Sequence, residues 1–136
     1  MQVEPALESV AAGLIGALAA RDWERLAACF APDAVFRAVV PNPENPFREL
    51  RGPEEAAGQL ARWFGDADEL ELLSSSIGEL PGSVRFSYRF AAHEDQWYVV
   101  EQQCYATIGP RGIENLQLVC SGFQPIAARP GPVEPA

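Results

Sequence analysis

The side chains that could do chemistry are few, and most lie in two apolar stretches of the second half. Glu101 and Gln102 interrupt one stretch and Tyr88 another. A buried carboxylate is costly unless it is paired or solvated, so Glu101 could be a base or a ligand anchor in a pocket. It could equally point outward and pair with Arg85 or Arg89 on a neighbouring strand. Tyr88 could orient a ligand or donate a proton, or could simply pack in a core. Glu101 and Tyr88 are therefore the best catalytic candidates.

Composition limits the other reactive chemistry. His93 is the single histidine and lies in a predicted turn, so we expect neither a histidine-based triad nor a multi-histidine metal site. The cysteines Cys29, Cys104 and Cys120 match no zinc spacing and are expected to be reduced core thiols. All ten positive residues are arginine, which excludes Schiff-base chemistry and a lysine-dependent phosphate loop. We expect no metal and no cofactor.

The formal net charge is -9, and the arginines are scattered. A nucleic-acid binder needs a basic stripe, and an acidic surface disfavours anionic membranes. The longest apolar helical stretch, residues 10–20, is too short to span a bilayer. We therefore expect a cytoplasmic protein with neither a nucleic acid nor a membrane as partner.

The first half has helical periodicity. Apolar residues recur at helical spacing over residues 6–20, and Asp22 is a predicted N-cap for a short second helix that reaches residue 30. Strands are predicted over residues 34–40 and 47–51. Gly52 and Pro53 then open a third helix, because proline favours the first helical position.

In the second half, apolar and polar residues alternate, which is typical of strands. Residues 70–77, 83–91, 96–108 and 113–123 are predicted strands, and their short separators favour antiparallel hairpins. Helices followed by a meander predict an α+β domain with helices on one sheet face. Residues 127–136, with three prolines and a glycine, are predicted to form a disordered tail.

Three segments carry a resemblance to a known superfamily: residues 17–36, residues 50–56 ahead of the third helix, and the terminal hairpin. Together they resemble the nuclear transport factor 2-like (NTF2-like) superfamily, with its SnoaL-like cyclases and ketosteroid isomerases. The resemblance implies a cone-shaped, curved antiparallel sheet wrapped around three N-terminal helices over residues 1–126. It also implies a pocket inside the cone and frequent dimerisation through the outer sheet face. It implies no single chemistry, since members include isomerases, cyclases, dehydratases, epoxide hydrolases and binding modules.

The ketosteroid isomerase constellation is not matched. Leu14 stands where that family has an oxyanion-stabilising tyrosine, and Ala38 stands where it has the general-base aspartate. The third family residue, a protonated aspartate, falls near Gln103 or Gln102. Leucine and alanine can neither donate nor abstract a proton, so we reject that activity.

Strand alternation predicts which side chains face the pocket. The residues of the strand over 96–108 are apolar on both faces, and we assign its even-numbered residues inward. The predicted pocket lining is Leu14, Phe36, Ala38, Trp63, Tyr88, Val100, Gln102 and Leu118. An outer stripe of Trp97, Val99, Tyr105, Val119 and Phe123 then predicts a homodimer through the sheet.

The predicted function is a small-molecule pocket protein of the SnoaL-like type. Its partner would be a compact, mainly apolar molecule, and it could be a cofactor-free isomerase, cyclase or hydratase using Glu101 or Tyr88. The alternative is a non-catalytic ligand-binding or dimerisation module. Ionisable groups inside the pocket would distinguish the two.

Overall fold

The computed structural model describes residues 6–130, which form three helices and seven strands. In chain order these are α1 (Leu7–Ala20), α2 (Trp23–Ala27), β1 (Phe30–Val39), β2 (Phe47–Arg51), α3 (Pro53–Phe64), β3 (Glu69–Leu80), β4 (Ser83–Glu94), β5 (Gln96–Gly109), β6 (Gly112–Cys120) and β7 (Gln124–Ile126). The predicted α+β class, with helices first and a meander second, is confirmed.

One curved, unclosed sheet holds all seven strands, in the order β2-β1-β6-β5-β4-β3, with β7 paired to β5. Adjacent strands are antiparallel except β1 and β6, which run parallel. The sheet is therefore mixed rather than wholly antiparallel. The physical reason is the α3 crossover, which lets the last long strand lie beside the first in the same direction.

The helix starts follow their predicted caps. The Arg25 backbone N–H donates to the Asp22 carboxylate at 3.2 Å, which confirms the N-cap of α2. Gly52, at φ 85°, precedes Pro53 at the start of α3. Helix α2 ends earlier than predicted, and β1 already begins at Phe30. Pro32 lies within β1, in an irregular stretch between Phe30 and Val35 where the pairing register with β6 shifts. Proline is tolerated there because its missing N–H breaks no regular hydrogen bond of the sheet.

The inner face of the sheet packs against the helices, and the alternation predicted for β5 is confirmed. Val100, Gln102, Cys104 and Ala106 are buried, whereas the odd-numbered Tyr105 is exposed. Burial of one residue in two follows from the pleat, which sends successive side chains to opposite faces.

The single last strand predicted over residues 113–123 is replaced by two strands, β6 and β7. Strand β6 stops at Cys120, Gly122 adopts φ 80°, and β7 then pairs with the start of β5. Arg129 follows β7, donates to the Glu71 carboxylate at 2.9 Å, and lies 5.4 Å from the Trp97 ring centroid. Of the tail predicted to be disordered, residues 127–130 are thus described, and residues 131–136 lie outside the described part.

No helix within residues 6–130 is long and apolar enough to cross a membrane.

Candidate functional site

A small polar cluster lies on the inner sheet face, surrounded by apolar side chains. Tyr88 and Gln102 are direct partners across β4 and β5, and the Tyr88 hydroxyl donates to Gln102 Oε1 at 2.5 Å. Gln102 Nε2 in turn donates to Cys120 Sγ at 3.3 Å. The polar groups of this cluster therefore satisfy one another, as buried polar groups generally must.

Burial keeps Tyr88 and the neighbouring Cys104 neutral. It raises the pKa of Tyr88 well above its usual value, and the nearby Cys104 and Cys120 thiols raise it further. Burial also raises the pKa of the Cys104 thiol to about 12. A neutral thiol is a poor nucleophile and a neutral phenol is no base, so at neutral pH these groups can form hydrogen bonds or donate a proton but cannot abstract one.

Glu101, the other catalytic candidate, lies on the opposite face of the sheet. Its carboxylate pairs with Arg89 Nη2 at 3.0 Å, and Arg89 is its direct neighbour across β4 and β5. The Glu101 side chain retains 36% of its exposure. The sequence left open whether Glu101 is a pocket carboxylate or an outward residue paired with an arginine, and in the structure Glu101 points outward and is paired with Arg89. Glu101 and Tyr88 therefore do not face one another.

The eight predicted pocket residues are brought together in the interior. Seven are buried, and Trp63 is half-buried with its ring centroid 6.3 Å from that of Phe36. Leu14 and Ala38, which replace the isomerase groups, are 1% and 2% exposed. These side chains pack as a core, and their lining of a ligand cavity stays a prediction.

A recess opens beside this core where the end of α3 and the β4–β5 hairpin meet the turn after β6. We call it the aromatic recess; it measures about 250 Å³ and is lined by Trp63, Ala67, Ala92, Glu94, Tyr98 and Phe123. Sequence reasoning placed Trp63 in the lining and Tyr98 on the inner face, but missed the other four. The even-numbered alternation of β4, continued past its predicted end at residue 91, was the signal for Ala92 and Glu94.

Phe123 was predicted on the outer stripe, and that prediction was wrong. Its ring centroid lies 5.7 Å from that of Phe64 and 6.4 Å from that of Tyr98, on the inner side. The reason is the positive φ of Gly122, which turns the chain out of the alternation of β6.

An aromatic layer of Phe64 and Phe90 separates the recess from the polar cluster. The two ring centroids are 5.5 Å apart, and Phe90 lies 5.6 Å from Tyr88. Along β4, Phe90 is the inward position between Ala92 and Tyr88. A ligand in the recess would therefore contact rings, and would not reach the Tyr88 hydroxyl unless this layer moved.

The loop after α3 is fixed at two points. Arg21 Nη1 donates to the carbonyl of Ala67, and His93 Nδ1 lies 3.0 Å from the Asp68 carboxylate. The hydrogen bond to His93 lowers the pKa of Asp68. These contacts, made by residues far apart in the sequence, position the Ala67 wall of the recess.

Two of the other hollows are at least twice as large as the recess. One, of about 600 Å³, lies between α2 and the start of α3 and is rimmed by Glu24, Arg51, Glu54 and Glu55. The other, of about 510 Å³, lies on the outer sheet face. The outer hollow contains the exposed side chains of Val39, Phe47, Tyr105 and Val119, which are 42–70% exposed. We call these four residues the outer patch.

Three or more metal-ligating side chains do not come together anywhere in residues 6–130.

An α+β domain with a curved, unclosed sheet and helices on the inner face of that sheet is an NTF2-like fold. Residues 11–123 match the family model of the SnoaL-like domain, and the chain belongs to that family.

Solved structures support the same fold at low identity. One is a protein from Catenulispora acidiphila with a ketosteroid isomerase-like fold, in complex with trimethylamine, at 15% identity, a TM-score of 0.68 and 88% coverage of each chain. An NTF2-like protein from Burkholderia xenovorans has 11% identity and a TM-score of 0.65, with 89% of this chain and 93% of that chain covered. An epoxide hydrolase from M. tuberculosis has 17% identity and a TM-score of 0.63, with coverages of 83% and 80%. The comparison with curated proteins found no match.

Proposed function

We propose that this protein binds one compact, mainly apolar small molecule in the aromatic recess, as a cofactor-free binding module. The recess carries the proposal, because Trp63, Tyr98 and Phe123 together offer a concave apolar surface next to the core. Concave apolar sites with few polar groups are the usual form of small-molecule sites. Of the eight residues predicted to line the pocket, Trp63 would contact this ligand directly, and the other seven would form the core beneath the recess.

Binding without catalysis is favoured by the chemistry of the interior. Within the described chain, the buried polar residues besides Tyr88 and the cysteines are Gln59 and Gln102, and every carboxylate is at least partly exposed. The similar structures include both a protein holding trimethylamine and an epoxide hydrolase, so the fold alone does not choose.

The enzymatic alternative is a cofactor-free isomerase, cyclase or hydratase. It would need Tyr88 or Glu101 as the proton-transfer group. The Tyr88 hydroxyl already donates to Gln102 behind the aromatic layer, and the Glu101 carboxylate is paired with Arg89 on the outer face. A general acid or base must come within hydrogen-bond reach of its substrate, so these positions disfavour catalysis.

Filling the recess tests its role. Ala67→Leu places three extra carbons in the recess, whereas Ala28→Leu, the matched control, adds the same atoms to the hollow between α2 and α3. With 3,3-dimethylbutan-1-ol as a compact probe, ligand-observed NMR should detect binding to the wild type and to Ala28→Leu, but not to Ala67→Leu. Loss of binding in Ala28→Leu alone would place the ligand in the other hollow and overturn the proposal.

We also propose a homodimer through the outer sheet face, in the cytoplasm. The outer patch is apolar and exposed, and among the nearby charges Arg37 is paired with Glu49 at 2.9 Å and Arg89 with Glu101 at 3.0 Å. A second copy could cover the patch without leaving these four charges unpaired. A two-fold axis would place the same patch on both partners.

A further inference from the structure

We propose that the aromatic recess recognises a methylated ammonium cation, a ligand class that deepens and rests on the small-molecule binding proposed above. The recess combines three aromatic walls with one carboxylate, and this combination binds quaternary and methylated ammonium groups through the negative faces of the rings.

The rings are held at angles that enclose a small volume. Tyr98 and Phe123 meet nearly at right angles, at 81°, with centroids 6.4 Å apart. Trp63, the third wall, is held from behind by Phe36, and Phe123 is held by Phe64. Because Trp63 and Phe123 pack against the core, these two rings have little side-chain entropy left to lose when a ligand binds.

The carboxylate of the recess has no opposing charge within reach. Within residues 6–130, no arginine or histidine nitrogen lies within 4.0 Å of the Glu94 carboxylate, whereas Glu49, Glu71 and Glu101 are each paired with an arginine. An unpaired carboxylate on the rim of an aromatic site leaves a net negative potential there, which favours a cation.

The charged residues around the recess also favour a cation. Ala67, on the recess wall, lies between the exposed residues Asp66 and Asp68. Arg21 donates to the Ala67 carbonyl, so one positive charge lies at this wall beside the two aspartates. The net charge of -9 adds an attraction for cations at low ionic strength.

The size of the recess limits the ligand. At about 250 Å³ the recess lies below the range of drug-sized sites, which is roughly 300–1,000 Å³. It suits a methylated ammonium group with a short tail. The net negative charge disfavours a phosphate beside that group, so we assign a free small cation rather than a phospholipid headgroup.

An isosteric pair of probes separates charge from shape. Choline and 3,3-dimethylbutan-1-ol have nearly the same shape and differ in one positive charge. Because the attraction to the rings and to Glu94 requires that charge, choline should bind at least about tenfold more tightly in a calorimetric titration at low salt. Equal or tighter binding of the alcohol would overturn the cation assignment and leave the recess as an apolar site. If neither compound binds, the proposed binding function fails as well.

Matched variants test whether the Glu94 carboxylate and the Tyr98 ring contribute to choline binding. Glu94→Gln should weaken choline binding by about threefold and leave the binding of the alcohol unchanged. Glu79→Gln, with the same loss of charge at the far end of the sheet, should change the affinity for neither compound. Tyr98→Leu should weaken choline by about fivefold, and Tyr98→Phe, which keeps the ring, should retain most of the affinity. If Glu79→Gln has the same effect as Glu94→Gln, the attraction is a general one and the recess assignment is overturned.

Phosphocholine distinguishes the two sources of the cation. Choline should bind more tightly, because the phosphate of phosphocholine adds negative charge beside Glu94. Tighter binding of phosphocholine would overturn the assignment to a free cation in favour of a lipid headgroup.

Discussion

At the scale of single residues, the interior is defined by polar groups that are neutral and mutually satisfied. Tyr88, Gln102, Cys104 and Cys120 lie on neighbouring strands, and burial raises the pKa of Tyr88 and of Cys104, so these two groups carry no charge at neutral pH. The same burial makes the folded state sensitive to alkali, which gives the first prediction.

Stability should fall with rising pH above about 9, and Cys104 should account for much of the initial fall. The folded thiol has a pKa raised to about 12, against an ordinary value of 9.0. Its contribution is fully present below pH 9 and is lost as pH rises towards 12, because only the unfolded thiol ionises in that window. The free energy of unfolding should fall by up to about 1.4 kcal/mol per pH unit from this group. Tyr88 should add to the fall above pH 10, its ordinary pKa.

Urea unfolding between about pH 8 and pH 11 measures this slope. Cys104→Ala should be less stable at pH 8 and should have a shallower slope. The control is Leu118→Ala, which truncates the direct neighbour of Cys104 across β5 and β6 but keeps the thiol. It should be destabilised with the slope of the wild type. Equal slopes in all three proteins would contradict the prediction.

At the scale of the elements, two glycines play opposite roles. Gly58 lies exposed in α3, and a Cβ added there would meet nothing within 4 Å. Gly122 turns the chain between β6 and β7 at φ 80°, and a Cβ there would lie 2.6 Å from Pro41 Cγ. The conformational freedom of glycine is therefore used at the turn and is only a cost in the helix.

The second prediction follows from this contrast. Gly58→Ala should stabilise the protein by about 0.5–1 kcal/mol, because alanine restricts the unfolded chain and favours the helix. Gly122→Ala should destabilise it by about 1–3 kcal/mol through strain at positive φ, and should weaken probe binding by displacing Phe123. Urea unfolding of both variants is the measurement. A change of the same sign in both would refute the assignment of Gly122 as a required turn residue.

At the scale of the whole molecule, the sheet is covered by its own helices on one face only. The other face carries the outer patch. Trp97, which we predicted for the interface, is half-buried within the chain beneath Arg129 and beside His93. The proposed interface is thus displaced from the start of β5 towards β1 and β6.

The third prediction concerns this interface. Sedimentation equilibrium at micromolar concentration should give a dimer, and Val119→Glu should raise its dissociation constant at least about tenfold, because it places a charge at the centre of the outer patch. Ser75→Glu, an equal change of charge on the exposed edge strand β3, should leave the dimer intact. A monomeric wild type would rule out the proposed partner, and an equal effect of both variants would move the interface elsewhere.

The sequence by itself determined the class of fold and the order of nearly all the elements. It also determined which residues of β4 face inward, because helical and strand periodicities are local and depend only on neighbours along the chain. Tyr88 could be assigned to the interior from alternation, and the cap at Asp22 from residue type alone, whereas both faces of β5 are apolar in sequence and only the structure decided that Val100 and Gln102 point inward. Of the aromatic recess, however, the sequence identified only Trp63 as a lining residue.

The tertiary structure decided what depends on register and on distant contacts. The choice of Arg89 rather than Arg85 as the partner of Glu101 is a matter of strand register, which local pattern does not fix between two arginines four residues apart. The parallel pairing of β1 and β6 required the crossover through α3. The aromatic recess joins Trp63, Tyr98 and Phe123 from three separate parts of the chain, and the direction of Phe123 depends on one positive φ at Gly122. A backbone angle and the packing of three distant segments leave no periodic signature in a sequence, so only the folded chain could reveal this recess.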